Sequence, residues 1–318
     1  MTQEIGERPV QDPTTGEIVV ANAPVSYGAF EITVGVYDNV PQPLELLDAV
    51  SSAGYEGVDL GPLGYLGSGP ELAERLGSRG LSLAGGYFEL PFSEPDKLEE
   101  ALPSLDELLD VFAAAPDGRV KARPTLADAG SPERAAYPGR AATDRSVGLD
   151  DQGWANFADG LARAVERCRE RGYEPTFHHH TATYVEAQWE IERLLELSDV
   201  SVTLDSGHLL LGGGDPVKAV HDWAERINHV HLKDAHRAVL EAIVADRAPV
   251  MEIWTRKAFC PLGEGDVAID EMLSGLREIG YSGWLVVEQD TIPAAGESVD
   301  KAAGEQARNR EYLRERGL

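Results

Sequence analysis

The chain has 318 residues, 42% of them hydrophobic, which is enough for one large α/β domain or two small ones. It carries 55 acidic and 28 basic residues, a formal net charge of −27. Nucleic acids and anionic membrane surfaces are therefore disfavoured as partners, because they would be repelled. Its two distant cysteines, Cys168 and Cys260, show no disulfide framework, and no stretch approaches the roughly 20 apolar residues of a membrane span. We expect a cytoplasmic protein.

Strand-like and helix-like segments alternate from Val20 to the C-terminus. Eight strands are predicted, at Ala23–Tyr27, Gly57–Leu60, Leu81–Gly86, Arg119–Ala122, Glu174–His179, Val200–Leu204, His229–Leu232 and Trp284–Glu288. Eight helices are predicted after them, at Pro43–Ser52, Pro70–Arg79, Lys97–Ala114, Gln152–Arg171, Ala187–Ser198, Pro216–Arg226, Ile269–Ile279 and Lys301–Arg316.

Eight strands each followed by a helix predict an α/β fold of the (β/α)8 TIM-barrel type. We expect a single domain over residues 20–318, preceded by a flexible N-terminal segment, residues 1–19. A doubly wound open sheet is the alternative. It is disfavoured because no G-x-G-x-x-G opens a helix, and because the Gly212-Gly213-Gly214 run lacks the following Lys-Ser/Thr of a phosphate loop.

Two connections are longer than the rest, at residues 124–150 and 234–267. Long loops without structure of their own often act as lids or binding loops. The second connection carries Arg237, Trp254 and Arg256, cationic and aromatic residues in an otherwise acidic protein. We predict a lid-like insertion at about 234–267 in which these three residues contact substrate. A decorated surface loop is the alternative.

All eight histidines lie between His178 and His236, most of them in three clusters that each follow a strand-like run. The clusters are His178-His179-His180, Asp205 to His208, and His229 to Lys233, and Glu288 ends a further apolar run. Imidazole and carboxylate groups at successive strand ends indicate a mixed nitrogen and oxygen metal site. A single histidine near a strand end is more often structural, which is how we interpret His221 and His236.

Strand geometry sorts the candidates, because side chains two apart on a strand share a face. His178 and His180 therefore point one way and His179 the other. His229, His231 and Lys233 likewise share a face. One inward face can thus collect the candidates at the carboxyl ends of the strands, where a barrel keeps its catalytic residues.

Six segments carry a resemblance to a known family. They are AGYEGVDLG from Ala53, HHHTATYVE from His178, DSGH from Asp205, HVHLKD from His229, FCPLGEGD from Phe259 and GWLVVEQD from Gly283. In this order and spacing the chain resembles, from about Pro24 onward, the xylose-isomerase-like TIM-barrel superfamily of sugar isomerases and epimerases. Within it, the chain resembles the inosose dehydratase-like group.

The resemblance implies a divalent metal ion, with Mn²⁺ as first choice and Co²⁺ or Mg²⁺ as alternatives. Superfamily members hold it with Glu, Asp, His and Glu at four strand ends. The last three match Asp205, His231 and Glu288. His178 stands where isomerases and epimerases have the first glutamate, so it is expected to be either the fourth ligand or a substrate contact.

The missing glutamate favours elimination over epimerisation, since epimerases of this type resemble two-carboxylate enzymes. The dehydratase-like group has histidines here, as this chain does. We expect His180 and His208 to act as acid and base, with His180 protonating a departing hydroxyl and Glu288 removing a proton from carbon. Lys233 is expected to stabilise the enediolate oxygen, an ion pair at the barrel mouth being the alternative.

The sequence therefore predicts a metal-dependent carbon–oxygen lyase that dehydrates a keto-cyclitol, 2-keto-myo-inositol, through an enediolate. The alternatives are a sugar isomerase or epimerase acting on a ketose, a lyase cleaving oxidised (3-oxo) glycosides including C-glycosides, and a non-catalytic sugar-binding protein. The expected partner is a small sugar or cyclitol, with neither nucleic acid nor membrane. The resemblance also allows a homo-oligomer.

Overall fold

The computed structural model describes residues 17–116 and 118–318. Its inner layer is a parallel sheet of strands β1 Ile18–Asn22, β2 Gly57–Val58, β3 in two segments at Ser82–Leu83 and Gly85–Leu90, β4 Arg123–Asp128, β5 Thr176–His178, β6 Ser201–Asp205, β7 Ile227–Leu232 and β8 Gly283–Val287. Each is followed by an outer helix, namely α1 Pro43–Ala53, α2 Gly69–Gly77, α3 Pro95–Ala114, α4 Asp151–Glu170, α5 Gln188–Leu197, α6 Pro216–Asp222, α7 Ile269–Glu278 and α8 Val299–Arg314.

The sheet closes on itself. β1 pairs with β8, with Ile18 opposite Gly283. The two segments of β3 pair with β2 on one side and β4 on the other. Backbone bonds cross the break in β3, since Ala84 donates to the Val58 carbonyl and accepts from the Arg123 N–H, each at 3.0 Å. The predicted (β/α)8 barrel is confirmed.

The first barrel strand starts earlier than predicted. Ile18–Asn22 forms β1, whereas the predicted strand Ala23–Tyr27 is mostly a 3₁₀ turn over Pro24–Tyr27. Proline fixes φ and lacks an N–H, which suits the start of a turn. The N-terminal segment expected to be flexible covers residues 1–19. Residues 1–16 lie outside the described residues, and Ile18 and Val19 belong to β1.

The fourth strand is displaced in the other direction. The prediction was Arg119–Ala122, and the strand forms at Arg123–Asp128. Pro124 is the first residue of the long connection predicted at residues 124–150. It is the second residue of β4, and a missing N–H is tolerated close to the start of a strand.

An apolar cluster fills the lower part of the barrel. Its members are Val19, Ala21, Ala23, Ala84, Val120, Trp284 and Val286. Trp284 packs on Gly57, where a Cβ atom would lie 2.7 Å from the indole ring. Polar residues therefore gather at the opposite end, where the strands terminate. Within the described ranges, no helix has the length and apolar character that a membrane span requires.

The 234–267 insertion has its own structure. Two short strands, Asp234–Ala235 and Phe259–Cys260, pair antiparallel, and helices Arg237–Asp246 and Met251–Thr255 lie between them. The Asp234 carboxylate accepts hydrogen bonds from the backbone N–H groups of residues 263, 265 and 267 at 2.8–3.1 Å. The insertion is thus tied at its base to the end of β7.

Candidate active site

The polar cluster at the barrel mouth is built by four strand ends. His178 ends β5, Asp205 ends β6, His231 lies on β7, and Glu288 follows β8. All four side chains are buried, and one nitrogen or oxygen atom from each lies within 4.8 Å of the others. The structure therefore brings together the four predicted metal ligands.

The spacing of these atoms fits a single ion. His178 Nε2 lies 3.0 Å from His231 Nδ1 and 3.3 Å from Asp205 Oδ2. His231 Nδ1 lies 3.8 Å from Asp205 Oδ2 and 3.1 Å from Glu288 Oε2. Ligand atoms placed tetrahedrally at about 2.1 Å from one ion are about 3.4 Å apart. Two imidazoles and two carboxylates also suit a divalent first-row metal.

Lys233 lies among the same carboxylates. Its Nζ is 2.8 Å from Glu288 Oε2, 2.9 Å from Asp290 Oδ1 and 3.2 Å from Asp205 Oδ2. Burial lowers the pKa of Lys233, but the three carboxylates outweigh burial and raise it. Three carboxylates around one ammonium leave this buried cluster with an excess of negative charge, and a divalent cation would offset it.

Glu288 and His231 influence each other strongly. Burial alone would raise the pKa of Glu288, but the neighbouring His231 and Lys233 outweigh it and hold the pKa below its usual range. Burial would lower the pKa of His231, yet the Glu288 and Asp59 carboxylates raise it to about 10. Glu288 is therefore held as an anion.

His180 and His208 lie side by side, with ring centroids 3.9 Å apart. His180 Nδ1 faces the Thr181 carbonyl oxygen at 2.9 Å, so Nδ1 carries the hydrogen and Nε2 the lone pair. His208 Nε2 accepts from the Lys233 ammonium at 3.1 Å, so its Nδ1–H donates to Thr181 Oγ1. Burial lowers the pKa of both imidazoles, to about 3 for His180. Both rings are neutral at physiological pH.

A cavity of about 410 Å³ opens above this cluster, a volume typical of small-molecule sites. Its floor is polar, with Asp59, His178, His180, His231, Lys233, Glu288 and Asp290. Its rim is mostly apolar, with Phe30, Ile32, Leu63, Phe88 and Trp254, and it also carries the exposed carboxylates Glu31 and Glu89. Ile32 and Leu63 remain 44% and 45% exposed, and the Phe30 and Trp254 rings lie 5.8 Å apart.

One of the three predicted substrate contacts reaches the cavity. Trp254 lines it. Arg256 instead binds Asp246 and Glu252 at 2.7 and 2.8 Å. Arg237 donates its backbone N–H to Asp266, and neither arginine is part of the cavity lining. A cationic composition shows that charge is present in the insertion but not which way each side chain points.

Three residues of the site were not predicted. Asp59 Oδ2 lies 3.5 Å from His231 Nε2, Asp290 pairs with Lys233, and the Tyr87 ring packs edge-on against His178 at 5.7 Å. Asp290 follows Glu288 by two residues, so the face-sharing rule could have found it. Asp59 and Tyr87 come from β2 and β3, where no histidine draws attention to the strand ends.

Comparison with known proteins identifies the class. Residues 47–315 match the model of the xylose isomerase-like TIM barrel family, and the chain belongs to this family. An inosose dehydratase from Geobacillus kaustophilus (strain HTA426) is 31% identical over 287 residues, covering 89% of this chain and 91% of that protein.

Solved structures share the architecture. A D-allulose 3-epimerase from Methylomonas sp. aligns with a TM-score of 0.64 at 13% identity, covering 95% of this chain and 98% of that one. The IOLI protein, with a bound zinc atom, aligns with a TM-score of 0.63 at 13% identity, covering 92% and 96%. At these identities the likeness shows the fold alone.

Proposed function

We propose that the protein is a metal-dependent carbon–oxygen lyase that dehydrates a keto-cyclitol, with 2-keto-myo-inositol as the first candidate. The observation that carries the proposal is the pair of neutral imidazoles, His180 and His208, beside a two-histidine, two-carboxylate set. An epimerase of the two-carboxylate type would need a glutamate where His178 stands. Similarity to the Geobacillus inosose dehydratase over nearly the whole chain supports the same assignment.

His178, Asp205, His231 and Glu288 would hold the ion, Mn²⁺ being the first candidate and Co²⁺ or Mg²⁺ the alternatives. When bound, such an ion supplies Lewis-acid polarisation of the substrate carbonyl. The substrate is a small polar metabolite, in keeping with the cytoplasmic location expected from the sequence.

In this proposal His180 performs the proton transfers. Its neutral Nε2 removes the proton from the carbon beside the carbonyl, and the electrons of that C–H bond move into the carbonyl group to give the enediolate. The carbonyl re-forms as the double bond to the β-carbon forms and the bond to the β-hydroxyl breaks. The imidazolium then returns the proton to the departing hydroxyl, which leaves as water. The product is an unsaturated hydroxyketone, the enol form of a dione, and no proton is gained or lost overall.

Lys233 and His208 assist this step without exchanging protons. The Lys233 ammonium stabilises the developing enediolate oxygen. His208 holds that ammonium by accepting one of its hydrogens at 3.1 Å. Glu288, expected from the sequence to remove the carbon proton, is less suited to it because His231 and Lys233 engage its Oε2 at 3.1 and 2.8 Å.

Incubation of the purified protein with 2-keto-myo-inositol tests the proposal. We expect the mass loss of one water and a product that absorbs in the near ultraviolet. A chelator should abolish the reaction and Mn²⁺ should restore it. Ketohexoses should be epimerised poorly. Efficient interconversion of ketohexose epimers, without elimination from any keto-cyclitol, would instead support the isomerase alternative.

The apolar rim favours a second candidate, a lyase acting on 3-oxo glycosides that carry an aromatic group. A keto-cyclitol bears a hydroxyl on nearly every carbon and offers Phe30, Ile32 and Trp254 only the small C–H faces of its ring, whereas an aromatic aglycone would pack against them over a larger area. The same proton transfer by His180 would release the aglycone hydroxyl instead of water. Release of nitrophenol from a nitrophenyl 3-oxo-glucoside, compared with the rate of keto-cyclitol dehydration, decides between the two.

A further inference from the structure

Asp59 lies on the far side of His231 from the candidate metal ligands. It directly follows β2 and is only 4% exposed. Its Oδ2 is 3.5 Å from His231 Nε2. The other nitrogen of that ring, Nδ1, faces Glu288 and His178 at 3.1 and 3.0 Å. The His231 imidazole therefore bridges the Asp59 carboxylate and the ligand cluster.

The fold makes a specific place for this carboxylate. A Cβ atom on Gly85 would lie 3.0 Å from Asp59 Oδ1 and 3.1 Å from Thr125 Oγ1, so the bare glycine leaves the space that the carboxylate occupies. The backbone of Asp59 is fixed by an N–H bond to the Asn22 carbonyl at 2.9 Å. Burying a carboxylate is costly unless it is compensated, so its retention calls for a role.

Asp128 shows what a structural carboxylate looks like in the same barrel. It ends β4, is equally buried, and accepts backbone N–H bonds from Gly130 and Tyr184 at 3.0 and 2.8 Å. Asp59 Oδ1, by contrast, has no hydrogen-bond partner among the described residues, and Oδ2 faces His231. The Asp59 side chain thus faces an imidazole and not a loop, and His231 Nε2, 3.5 Å away, likewise has no closer polar partner among the described residues.

We infer that Asp59 is a positioning residue for the metal site. It accepts the Nε2–H of His231 and so leaves the Nδ1 lone pair directed at the ion. A histidine ligand that donates its other ring N–H to a carboxylate is fixed in orientation and made more basic. The inference rests on the metal-dependent function proposed above and adds a residue that lies outside the ligand set.

Mn²⁺ affinity of the full-length, chelator-treated protein tests the inference by isothermal titration calorimetry. Asp59→Asn keeps the size of the side chain and removes its charge, and it should weaken binding about 10- to 100-fold. The matched control Asp128→Asn should bind as the wild type does, and Asp205→Ala, which removes a ligand, should not bind. Thermal unfolding of each chelated variant shows whether the fold is intact.

The role of Asp59 would be overturned, and the metal site left in place, if wild type and Asp59→Asn bind Mn²⁺ with equal affinity while Asp205→Ala does not bind it. A wild type that binds no Mn²⁺ would reject the metal site and the inference together. If Asp59→Asn fails to fold, Gly85→Ala decides, because it displaces the carboxylate without removing it. That variant should also bind Mn²⁺ more weakly, and unchanged affinity would again reject the role.

Discussion

His180 is held in one tautomer by a backbone carbonyl and not by a titratable side chain. The Thr181 oxygen can only accept, so the Nδ1–H is fixed and Nε2 begins each turnover with its lone pair free. The half-buried ring also lines the cavity, which gives that lone pair access to a substrate. A base defined in this way does not depend on a carboxylate partner.

Replacing His180 by alanine should therefore remove both parts of the reaction. In D₂O, the variant should neither exchange the proton beside the substrate carbonyl nor eliminate water, and the loss in kcat should be about 10²- to 10⁴-fold. Proton NMR of the keto-cyclitol follows exchange and elimination together. His221→Ala, at an exposed position on α6, is the control. If exchange persists without elimination, the base that removes the proton from carbon is Glu288 and not His180, as expected from the sequence.

At this scale the sequence was informative where histidines cluster. Three clusters and Glu288 pointed to the ligand atoms that the barrel brings together. Asp59 gave no such signal, because it is one of 55 acidic residues and its meaning depends on a contact with His231, 172 positions away in the chain. This contact forms only when the barrel closes, so the sequence around neither residue predicts it.

At the scale of elements, the 234–267 insertion brings Trp254 over the mouth of the barrel, beside Phe30 from the loop after β1. Arg256, two positions further on, turns to Asp246 and Glu252. Substitutions of these two residues can therefore distinguish the effect of apolar contact with the substrate from the effect of charge in the insertion.

Trp254→Ala should lower kcat/KM by about tenfold, equivalent to about 1.4 kcal/mol, because the reacting groups lose a wall that excludes water and positions the substrate. Arg256→Ala should leave kinetic constants unchanged, since its guanidinium pairs within the insertion. Steady-state kinetics on the active substrate measures both. A large effect of Arg256→Ala with none from Trp254→Ala would assign substrate contact to the charge instead.

Strand positions were predicted well except where an apolar run outlasts the strand. Apolar residues resume after Asn22, at Ala23 and Val25, and this pattern does not show that Pro24 turns the chain after β1. The fourth strand forms at Arg123–Asp128, and its second residue, Pro124, is tolerated because it lies close to the strand start. In both places the three-dimensional pairing with neighbouring strands decided which residues became extended.

At the scale of the whole molecule, an acidic chain has buried several carboxylates whose pKa is raised. Burial does this for Asp128, Glu186 and Glu190, even though Arg134 binds both glutamates within a buried cluster. A carboxyl group whose pKa is raised by folding favours the protonated state in the native protein. The decrease that such a group causes in the free energy of unfolding is absent at low pH and grows as the pH rises.

Asp128 allows a direct measurement of this cost. Burial raises its pKa from 3.8 to about 7, so the native protein should lose stability as the pH rises through that interval. Asp128→Asn should remove the loss, and its advantage over wild type should reach on the order of 4 kcal/mol above pH 7. Urea unfolding at pH 5 and pH 8 measures it, with exposed Glu192→Gln as control. An advantage that does not grow with pH would contradict the expectation.

The pairing of β1 with β8 also sets the order in which the site can be assembled during synthesis. A chain leaves the ribosome amino-terminal end first, so His178, Asp205 and His231 emerge before the strand that closes the barrel. β8 must then dock between β1 and β7, and it delivers Glu288 as it does so. The site is therefore complete only once β8 has docked, because the fourth of its candidate ligands arrives with that strand.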